Sequence, residues 1–387
     1  MKALLSSIVV LLALSGAWAQ ALTPPGRPLP VHPMVPGTAK RIHATATAVL
    51  APTSAQQPVA LTLYDATSLD QLAYDGTSVY FYTLPAAAVF REQIPLLGPA
   101  RLNALEMLYT GTGAAGSTAS ITIQVYGCRT GSVIEDPIAS GFPLLATFTG
   151  QIPTDGTYVL TLDLGGVVYD AGVDAGNRRY SHDLVVQIQT TGTNRPGLYI
   201  ANGGNSLRLR NDGGLGVTKP ALFPLGTGAF WADEGNRFHY ERYFIGSSDS
   251  NWREGTSTYW WGGSPMGNWS FSVSGSYNFV GKVTNNANVA MTEAKLQING
   301  SPVTVPLEEL QDGSRVFTLP LPPNVAHDVR IVMGPPYLVR AKTVTAGSPA
   351  TPVEEEFVLI SGDLDGDNEV TLFDFGILVS SFGEIGD

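Results

Sequence analysis

The feature that most constrains the fold is a long succession of short strand-like segments. From residue 41 to residue 361, alternating or apolar runs are separated by clusters of Gly, Pro, Asn and Asp. Examples are ARLNALEMLY at 100–109, SITIQVYG at 120–127 and TYVLTLDL at 157–164. Runs of this length with period-two alternation predict β-strands, and the turn residues between them predict tight connections. The sequence therefore predicts a mainly β fold.

Composition agrees with this prediction. The chain contains 43 Gly and 27 Pro but only 14% charged residues, which is typical of turn-rich exported β proteins. Its single cysteine, Cys128, excludes an intrachain disulfide. No basic patch stands out on any element, so we expect no nucleic-acid partner.

The strand-like segments fall into two regions. Residues 41–275 hold enough of them for a large two-sheet sandwich or jelly-roll-like domain. Residues 276–361 hold seven more, which predicts a small seven-stranded immunoglobulin-like or transthyretin-like sandwich.

The N-terminal residues predict export. Residues 1–19 combine an early lysine, an apolar run and the small-x-small pattern of Ala17 and Ala19, which is typical of a signal peptide. The apolar run is too short to span a membrane, and we expect no transmembrane segment. Residues 20–40 contain six prolines and predict an extended linker. The sequence thus predicts a protein that is secreted and lies outside the cell or on its surface.

The acidic residues are concentrated near the C-terminus. Ten of the 33 acidic residues and none of the 22 basic residues lie in 354–387. Within this segment, the spacing in GDLDGDNEVTLFD matches a calcium-binding EF-hand loop, whose ligands occupy positions 1, 3, 5, 7, 9 and 12. Position 7 contributes its backbone carbonyl, and position 9 acts through water. The predicted calcium ligands are Asp363, Asp365, Asp367, Glu369, Thr371 and Asp374.

Two residues depart from the usual EF-hand pattern. Asn368 stands at position 6, where glycine is expected, and we expect it to adopt left-handed backbone angles. Asp374 stands at position 12, where glutamate is usual. With this substitution, the segment 362–387 resembles a single dockerin repeat, a family that docks onto cohesins in polysaccharide-degrading assemblies. The resemblance implies a cohesin-like partner.

The segment after the loop predicts an amphipathic helix with almost no polar face. From Thr371 to Phe382, apolar residues cover nearly the whole circumference, so the helix needs a packing partner. In dockerins a second repeat usually supplies this packing partner, whereas this sequence contains a single repeat. The β region, a second copy of the chain and an outside protein are the three alternatives.

The second β region also carries a resemblance. The runs FVGKV at 279–283, LPLPPNVAHDVRIVM at 319–333 and YLVRAKTVTA at 337–346 are similar to the carboxypeptidase regulatory-like domain. In that family the domain serves as a spacer or adhesion module and carries no catalytic residues.

Catalytic motifs are missing from the sequence. The five histidines lack metal-binding spacing, and no Gly-x-Ser-x-Gly elbow occurs. A glycosidase carboxylate pair remains an open alternative, because such pairs meet in space and need no sequence motif. Between 247 and 271 the aromatic residues crowd together, and Trp252 and Trp260 are candidates for glycan stacking. The competing interpretation is that this aromatic cluster packs in the core.

Three functions follow from these observations. The favoured one is a non-catalytic structural or adhesion protein with a calcium-dependent association element. The alternative is a carbohydrate-binding component of a polysaccharide-degrading system. A glycoside hydrolase is the third.

Overall fold

The computed structural model describes residues 32–34, 39–48, 61–65, 67, 79–84, 89–96, 98–128, 141–170, 182–201, 242–246, 252–254, 268–286, 291, 294–303 and 307–381. Strands dominate these ranges, which confirms the prediction of a mainly β fold. The predicted signal peptide at 1–19 lies outside the described residues.

The first sixteen strands form two sheets. Sheet A contains nine strands: β1 His32–Met34, β2 Lys40–Thr45, β4 Leu61–Asp65, β5 Val79–Thr83, β7 Ala100–Thr110, β10 Thr157–Tyr169, β12 Gly197–Ala201, β15 Asn268–Trp269 and β16 Phe271–Ser276. Sheet B contains seven: β3 Thr47–Ala48, β6 Val89–Leu96, β8 Thr118–Cys128, β9 Leu144–Pro153, β11 His182–Thr191, β13 Arg242–Gly246 and β14 Trp252–Glu254.

Most neighbouring strands in these sheets are antiparallel. The order in sheet A is β1-β5-β12-β7-β10-β2, with β16 on β7 and β4, and β15 on β12. The order in sheet B is β14-β13-β6-β11-β8-β9-β3. At the end of sheet A, β2 runs parallel to β10, and the chain passes through buried Ala46 into β3 of sheet B.

Both sheets contribute to one buried core. Leu105 and Met107 enter it from β7, and Ile121, Ile123 and Val125 enter it from β8. Because side chains alternate along a strand, Thr122 and Gln124 lie on the opposite face of sheet B from Ile121, Ile123 and Val125. The buried face therefore follows directly from the alternation in the sequence.

Eight further strands form two four-stranded sheets. Sheet C has the order β20-β21-β17-β24, and sheet D has the order β19-β18-β22-β23. Seven strands were predicted here, and the additional one is the two-residue β20. The strands are β17 Phe279–Asn285, β18 Lys295–Ile298, β19 Ser301–Val303, β20 Glu308–Glu309, β21 Arg315–Leu319, β22 Ala326–Val332, β23 Arg340–Thr345 and β24 Val353–Leu359.

Three phenylalanine rings pack within sheet C. The Phe317 ring lies 5.9 Å from the Phe279 ring and 6.4 Å from the Phe357 ring, measured between centroids. All three side chains are buried. This cluster brings the neighbouring strands β21, β17 and β24 together, and β24 leads directly into the acidic segment.

The helix α1, Leu372–Ser380, follows the acidic segment. It lies within the predicted helical range of 371–382, of which residue 382 is outside the description. In the part of the chain that the structure covers, no helix has the length and apolar character needed to cross a membrane. The strand His32–Met34 falls within the predicted linker at 20–40 and pairs with β5.

Candidate metal centre

The acidic segment is attached to the second β region through backbone and side-chain hydrogen bonds. The amides of Gly362 and Asp363 donate to the carbonyl of Pro336 at 2.7 and 3.0 Å. Further along, the amide of Val339 donates to Asn368 Oδ1 at 2.6 Å. These bonds hold the beginning and the middle of the acidic loop on the segment 336–339.

Asn368 adopts the left-handed backbone conformation expected for position 6 of the loop. Its φ is +68°, and Gly366 two residues earlier has a φ of +81°. Asparagine tolerates this region better than most side chains. Its side chain also accepts the bond from Val339, which glycine could not do. The departure from the usual glycine therefore has a structural reason.

Three of the predicted ligands lie close together. Carboxylate oxygens of Asp363, Asp365 and Asp374 all lie within 4.8 Å of one another. Asp363 and Asp374 are buried, with only 3% and 2% of their surface exposed, whereas Asp365 is exposed. The loop thus brings its first, third and last ligand positions to one point.

Backbone amides hold the two buried carboxylates in place. Asp363 accepts from the amides of Gly366 at 2.7 Å and Asn368 at 3.0 Å. Asp374 accepts from the amides of Thr371 and Leu364, both at 2.6 Å. The bond from the Thr371 amide is the main cause that holds the pKa of Asp374 below its ordinary value. The Asp374 side chain is therefore ionised at neutral pH.

The remaining predicted ligands lie around this group. Asp367 Oδ1 accepts from the amide of Glu369 at 2.8 Å, and both residues are exposed. Neither carboxylate belongs to the group of three. Glu369 stands at position 7, which contributes a backbone carbonyl in an EF-hand loop, so its carboxylate is not required in the group. Thr371 caps the helix, and its hydroxyl accepts from the amide of Phe373 at 3.1 Å.

The donor set fits a hard divalent cation. Three negative carboxylates repel one another at this separation, and a bound cation would convert that repulsion into attraction. Carboxylate and carbonyl oxygens suit Ca²⁺, Mg²⁺ and Mn²⁺. Asp363 accepts two hydrogen bonds here, and a carboxylate offers about four lone-pair sites. Its oxygens therefore retain capacity for a metal ion.

Sequence inspection missed a second role of Asp374. Thr371 and Asp374 form a capping box, in which the Asp374 carboxylate bonds back to the Thr371 amide. The signal was present, since Thr-x-x-Asp before an apolar run is a capping-box pattern. The docking of the loop on residues 336–339 had no such local signal.

The helix α1 exposes its apolar side chains. Leu372, Phe373 and Phe375 are 85%, 77% and 60% exposed. Ile377, Leu378 and Val379 are exposed as well, and Asp374 is the buried residue of the helix. Among the three packing alternatives, packing on the β region is not seen for the residues that the structure describes, where the apolar side chains of α1 stay exposed.

The two candidate glycan-binding tryptophans are only partly covered by the structure. Trp252 begins β14, an edge strand of sheet B, but its side chain is not among those described. Trp260 lies outside the described residues. Stacking of a glycan on these rings stays a prediction.

Comparisons with known proteins do not assign the chain to a family. No protein-family model matches the chain, and no curated protein matches it.

Proposed function

We propose that the acidic loop binds one Ca²⁺ ion and thereby makes α1 a calcium-dependent association element. The observation that carries this proposal is the convergence of three carboxylates within 4.8 Å, at loop positions 1, 3 and 12. Asp363, Asp365 and Asp374 would hold the ion, with Asp367, the Glu369 carbonyl and Thr371 completing the set. The ion supplies positive charge that offsets the repulsion among these groups.

The association role is supported by the exposed helix. Six apolar side chains of α1 are 42–85% exposed, and burial of each against a partner would stabilise a complex by about 1.5–3 kcal/mol at most. Because Asp374 belongs both to the carboxylate group and to the helix cap, calcium binding would order the start of this helix. We propose a dockerin-like role, with a cohesin-like protein or a second copy of the chain as partner.

We further propose that the β regions form a non-catalytic scaffold of a secreted structural or adhesion protein. In this proposal sheets A and B form a jelly-roll-like sandwich. Sheets C and D form an immunoglobulin-like spacer similar to the carboxypeptidase regulatory-like domain. The contribution of A and B to one core supports the first part, and the two four-stranded sheets support the second.

Calcium titration of the chelator-stripped full chain tests the proposal. Isothermal titration calorimetry is expected to show one saturable site. Asp363→Asn preserves the shape of the side chain but removes its charge, and we expect affinity to fall about tenfold or more. Glu369→Gln is the matched control, because its carboxylate lies outside the group of three, and we expect a change of about twofold or less.

Two results would contradict the calcium assignment. One is no heat of binding at millimolar calcium with a folded chain, as judged by circular dichroism. The other is equal weakening by Asp363→Asn and Glu369→Gln, which would indicate a diffuse charge effect instead of a site.

A further inference from the structure

The outer face of sheet B carries a regular array of uncharged polar side chains. This array, called the polar grid below, occupies three neighbouring strands, β9, β8 and β11. It lies on the face opposite the buried residues Ile121, Ile123 and Val125. The polar grid consists of Thr147, Thr149 and Gln151 on β9, Ser120, Thr122 and Gln124 on β8, and Gln187, Gln189 and Thr191 on β11.

The strand register arranges these nine residues in three rows. The middle row places Thr122 between Thr149 and Gln189. The flanking rows are Gln151, Ser120 and Thr191 on one side, and Thr147, Gln124 and Gln187 on the other. Neighbouring strands lie ~4.8 Å apart, so the rows form a continuous surface of hydroxyl and amide groups.

Cross-strand hydrogen bonds order the polar grid in advance of any ligand. The Thr122 and Thr149 hydroxyls lie 3.3 Å apart, and Gln187 Nε2 donates to Gln124 Oε1 at 2.8 Å. Gln151 Nε2 donates to the Ser120 hydroxyl in the third row. Side chains that are already ordered lose less conformational entropy when they bind a ligand.

Water reaches the outer columns of the polar grid. Thr149, Gln151, Gln189 and Thr191 are exposed, whereas Gln187 is buried by its neighbours. Strand β6 borders the polar grid on the side of β11, where Arg91 is the register partner of Gln187.

An apolar cluster adjoins one end of the polar grid. Tyr126 and Val185 occupy the next row along β8 and β11, and they pack with half-buried Phe142 and Leu144. The face therefore combines hydroxyl and amide groups with an aromatic and aliphatic border.

Charge is distributed differently on the other faces that the structure describes. Arg41 pairs with Glu106 at 2.8 Å on sheet A. In sheets C and D, Lys282 pairs with Asp312, and Lys342 pairs with Glu355. In contrast, the nine positions of the polar grid contain only Ser, Thr and Gln and carry no charged side chain.

We infer that the polar grid is a binding surface for a neutral polysaccharide chain. Each sugar hydroxyl donates and accepts hydrogen bonds, and the Ser, Thr and Gln side chains of the polar grid do the same. The apolar border suits the C–H faces of sugar rings. Contacts repeated along a polymer add avidity, so many weak bonds suffice.

Other partner classes match this surface poorly. Nucleic acids and anionic membranes require clustered lysine and arginine, which the nine positions lack. An apolar protein surface would bury these hydroxyls and amides without hydrogen-bond partners, which is unfavourable. Neutral hydroxyl-rich ligands remain as the chemical class that satisfies both the polarity and the absence of charge.

Affinity electrophoresis of the full chain tests the inference. Native gels would contain hydroxyethyl cellulose, xyloglucan or galactomannan as neutral polymers, and polygalacturonate as the charged comparison. We expect at least one neutral polymer to retard the protein and polygalacturonate to have no effect. Thr149→Ala with Gln189→Ala removes two exposed groups of the middle row. We expect this pair to raise the dissociation constant about fivefold or more, equivalent to the loss of roughly one net hydrogen bond.

The matched control removes two exposed strand hydroxyls from a different sheet, Thr343→Ala with Thr345→Ala on β23. This control should be retarded like the unaltered chain, and thermal melting would verify that both double variants fold. Retardation should also persist in chelator, which separates this surface from the calcium loop. The inference is overturned by an absence of retardation in all three neutral gels, by equal retardation of the polar-grid variant, or by loss of retardation in chelator.

Discussion

Asp374 links the carboxylate group to the helix through a single side chain. One oxygen accepts from the amide of Leu364, and the other accepts from the amide of Thr371, the N-cap of α1. Its carboxylate also lies within 4.8 Å of those of Asp363 and Asp365. A cation bound to this group would therefore act directly on the first turn of the helix.

Asp155 gives a residue-scale prediction of pH dependence. Its carboxylate accepts from the Tyr158 hydroxyl at 2.5 Å and from the Gly116 amide at 2.7 Å. These bonds, the tyrosine bond above all, hold the pKa of Asp155 below its ordinary value of 3.8. Since the folded-state pKa is depressed, the contribution to stability is present above 3.8 and is lost as pH falls through the folded-state value.

We therefore expect Asp155→Asn to destabilise the protein at neutral pH and to have little effect well below pH 3.8. The effect should be modest, because the carboxyl lies near the surface. Urea unfolding of the unaltered chain and of the Asp155→Asn variant at several pH values measures this loss of stability. Tyr158→Phe removes the strongest of the two bonds and should reduce the pH dependence. An Asp155→Asn effect that is constant from neutral to acid pH would refute the assignment.

Single residues were predictable from sequence where local chemistry decides their conformation. The left-handed backbone of Asn368 follows from its position in the loop and from the tolerance of asparagine for this region. The hydrogen bond from Val339 to Asn368 could not be predicted, because it joins residues 29 positions apart. Only the folded second β region brings them together.

At the scale of elements, alternation determined which strands were predicted. Strands β7, β8 and β10 have clear buried faces, and their segments were all predicted. Strand β6 carries a weaker signal in the sequence, because Arg91, Glu92 and Pro95 interrupt its apolar pattern. The two glutamates of β20 carry no strand signal, and their pairing with β21 comes from tertiary contact.

The helix α1 is the described element whose sequence conflicts most with its environment. A helix that is apolar nearly all round belongs in a core, yet its side chains from Leu372 to Val379 are mostly exposed. Contiguous exposed apolar surface commonly marks a site of interaction. The sequence predicted both the helix and its need for a partner.

Binding of the dye ANS, which fluoresces on apolar surfaces, tests the exposure of α1. We expect Phe373→Glu with Phe375→Glu to reduce the ANS fluorescence of the full chain by about half or more, because the two rings are 77% and 60% exposed. Calcium affinity should be nearly unchanged, since neither side chain is a ligand.

The matched control for α1 is Val358→Glu, which alters an exposed apolar residue on β24. We expect this control to leave ANS fluorescence close to that of the unaltered chain. Equal ANS signals for the unaltered chain and the helix variant would mean that α1 is covered in solution.

At the scale of the whole molecule, the two β regions are joined without a flexible linker. Strand β16 of sheet A ends at residue 276 and β17 of sheet C begins at residue 279. The intervening Tyr277 and Asn278 are buried. Leu61 of β4 packs against Val280 and Val316 of sheet C, so the two regions share apolar contacts.

Local sequence patterns could not predict how the two β regions pack on each other. The predicted boundary lies between residues 275 and 276, and the chain leaves sheet A at residue 276 and enters sheet C at residue 279. The contacts across it join distant residues, as in the bond of 2.6 Å from the Thr62 amide to Glu308 Oε1, 246 positions apart. Pairing over such distances is determined by the global arrangement, for which local patterns carry no information.

The Asn278 side chain attaches the junction to the second β region. Its Nδ2 donates to the carbonyls of Leu321 at 2.7 Å and Gly347 at 3.0 Å, and its Oδ1 accepts from the Leu321 amide at 2.8 Å. All six tryptophans of the chain precede residue 276, so tryptophan fluorescence reports on the first region alone. A substitution of Asn278 therefore alters contacts with the second β region, and tryptophan fluorescence then reports the response of the first β region.

We expect Asn278→Ala to lower the free energy of unfolding by about 3 kcal/mol, because two buried backbone groups of Leu321 and the part-buried carbonyl of Gly347 lose their partner. If the junction couples the two regions, the urea midpoint measured by tryptophan fluorescence should shift together with the one measured by circular dichroism. The matched control is Asn286→Ala, whose bond to the Ser361 amide lies at the surface, and its effect should stay below about 1 kcal/mol. A circular-dichroism midpoint that moves while the fluorescence midpoint stays fixed would show that the regions unfold independently and that the buried junction does not transmit stability.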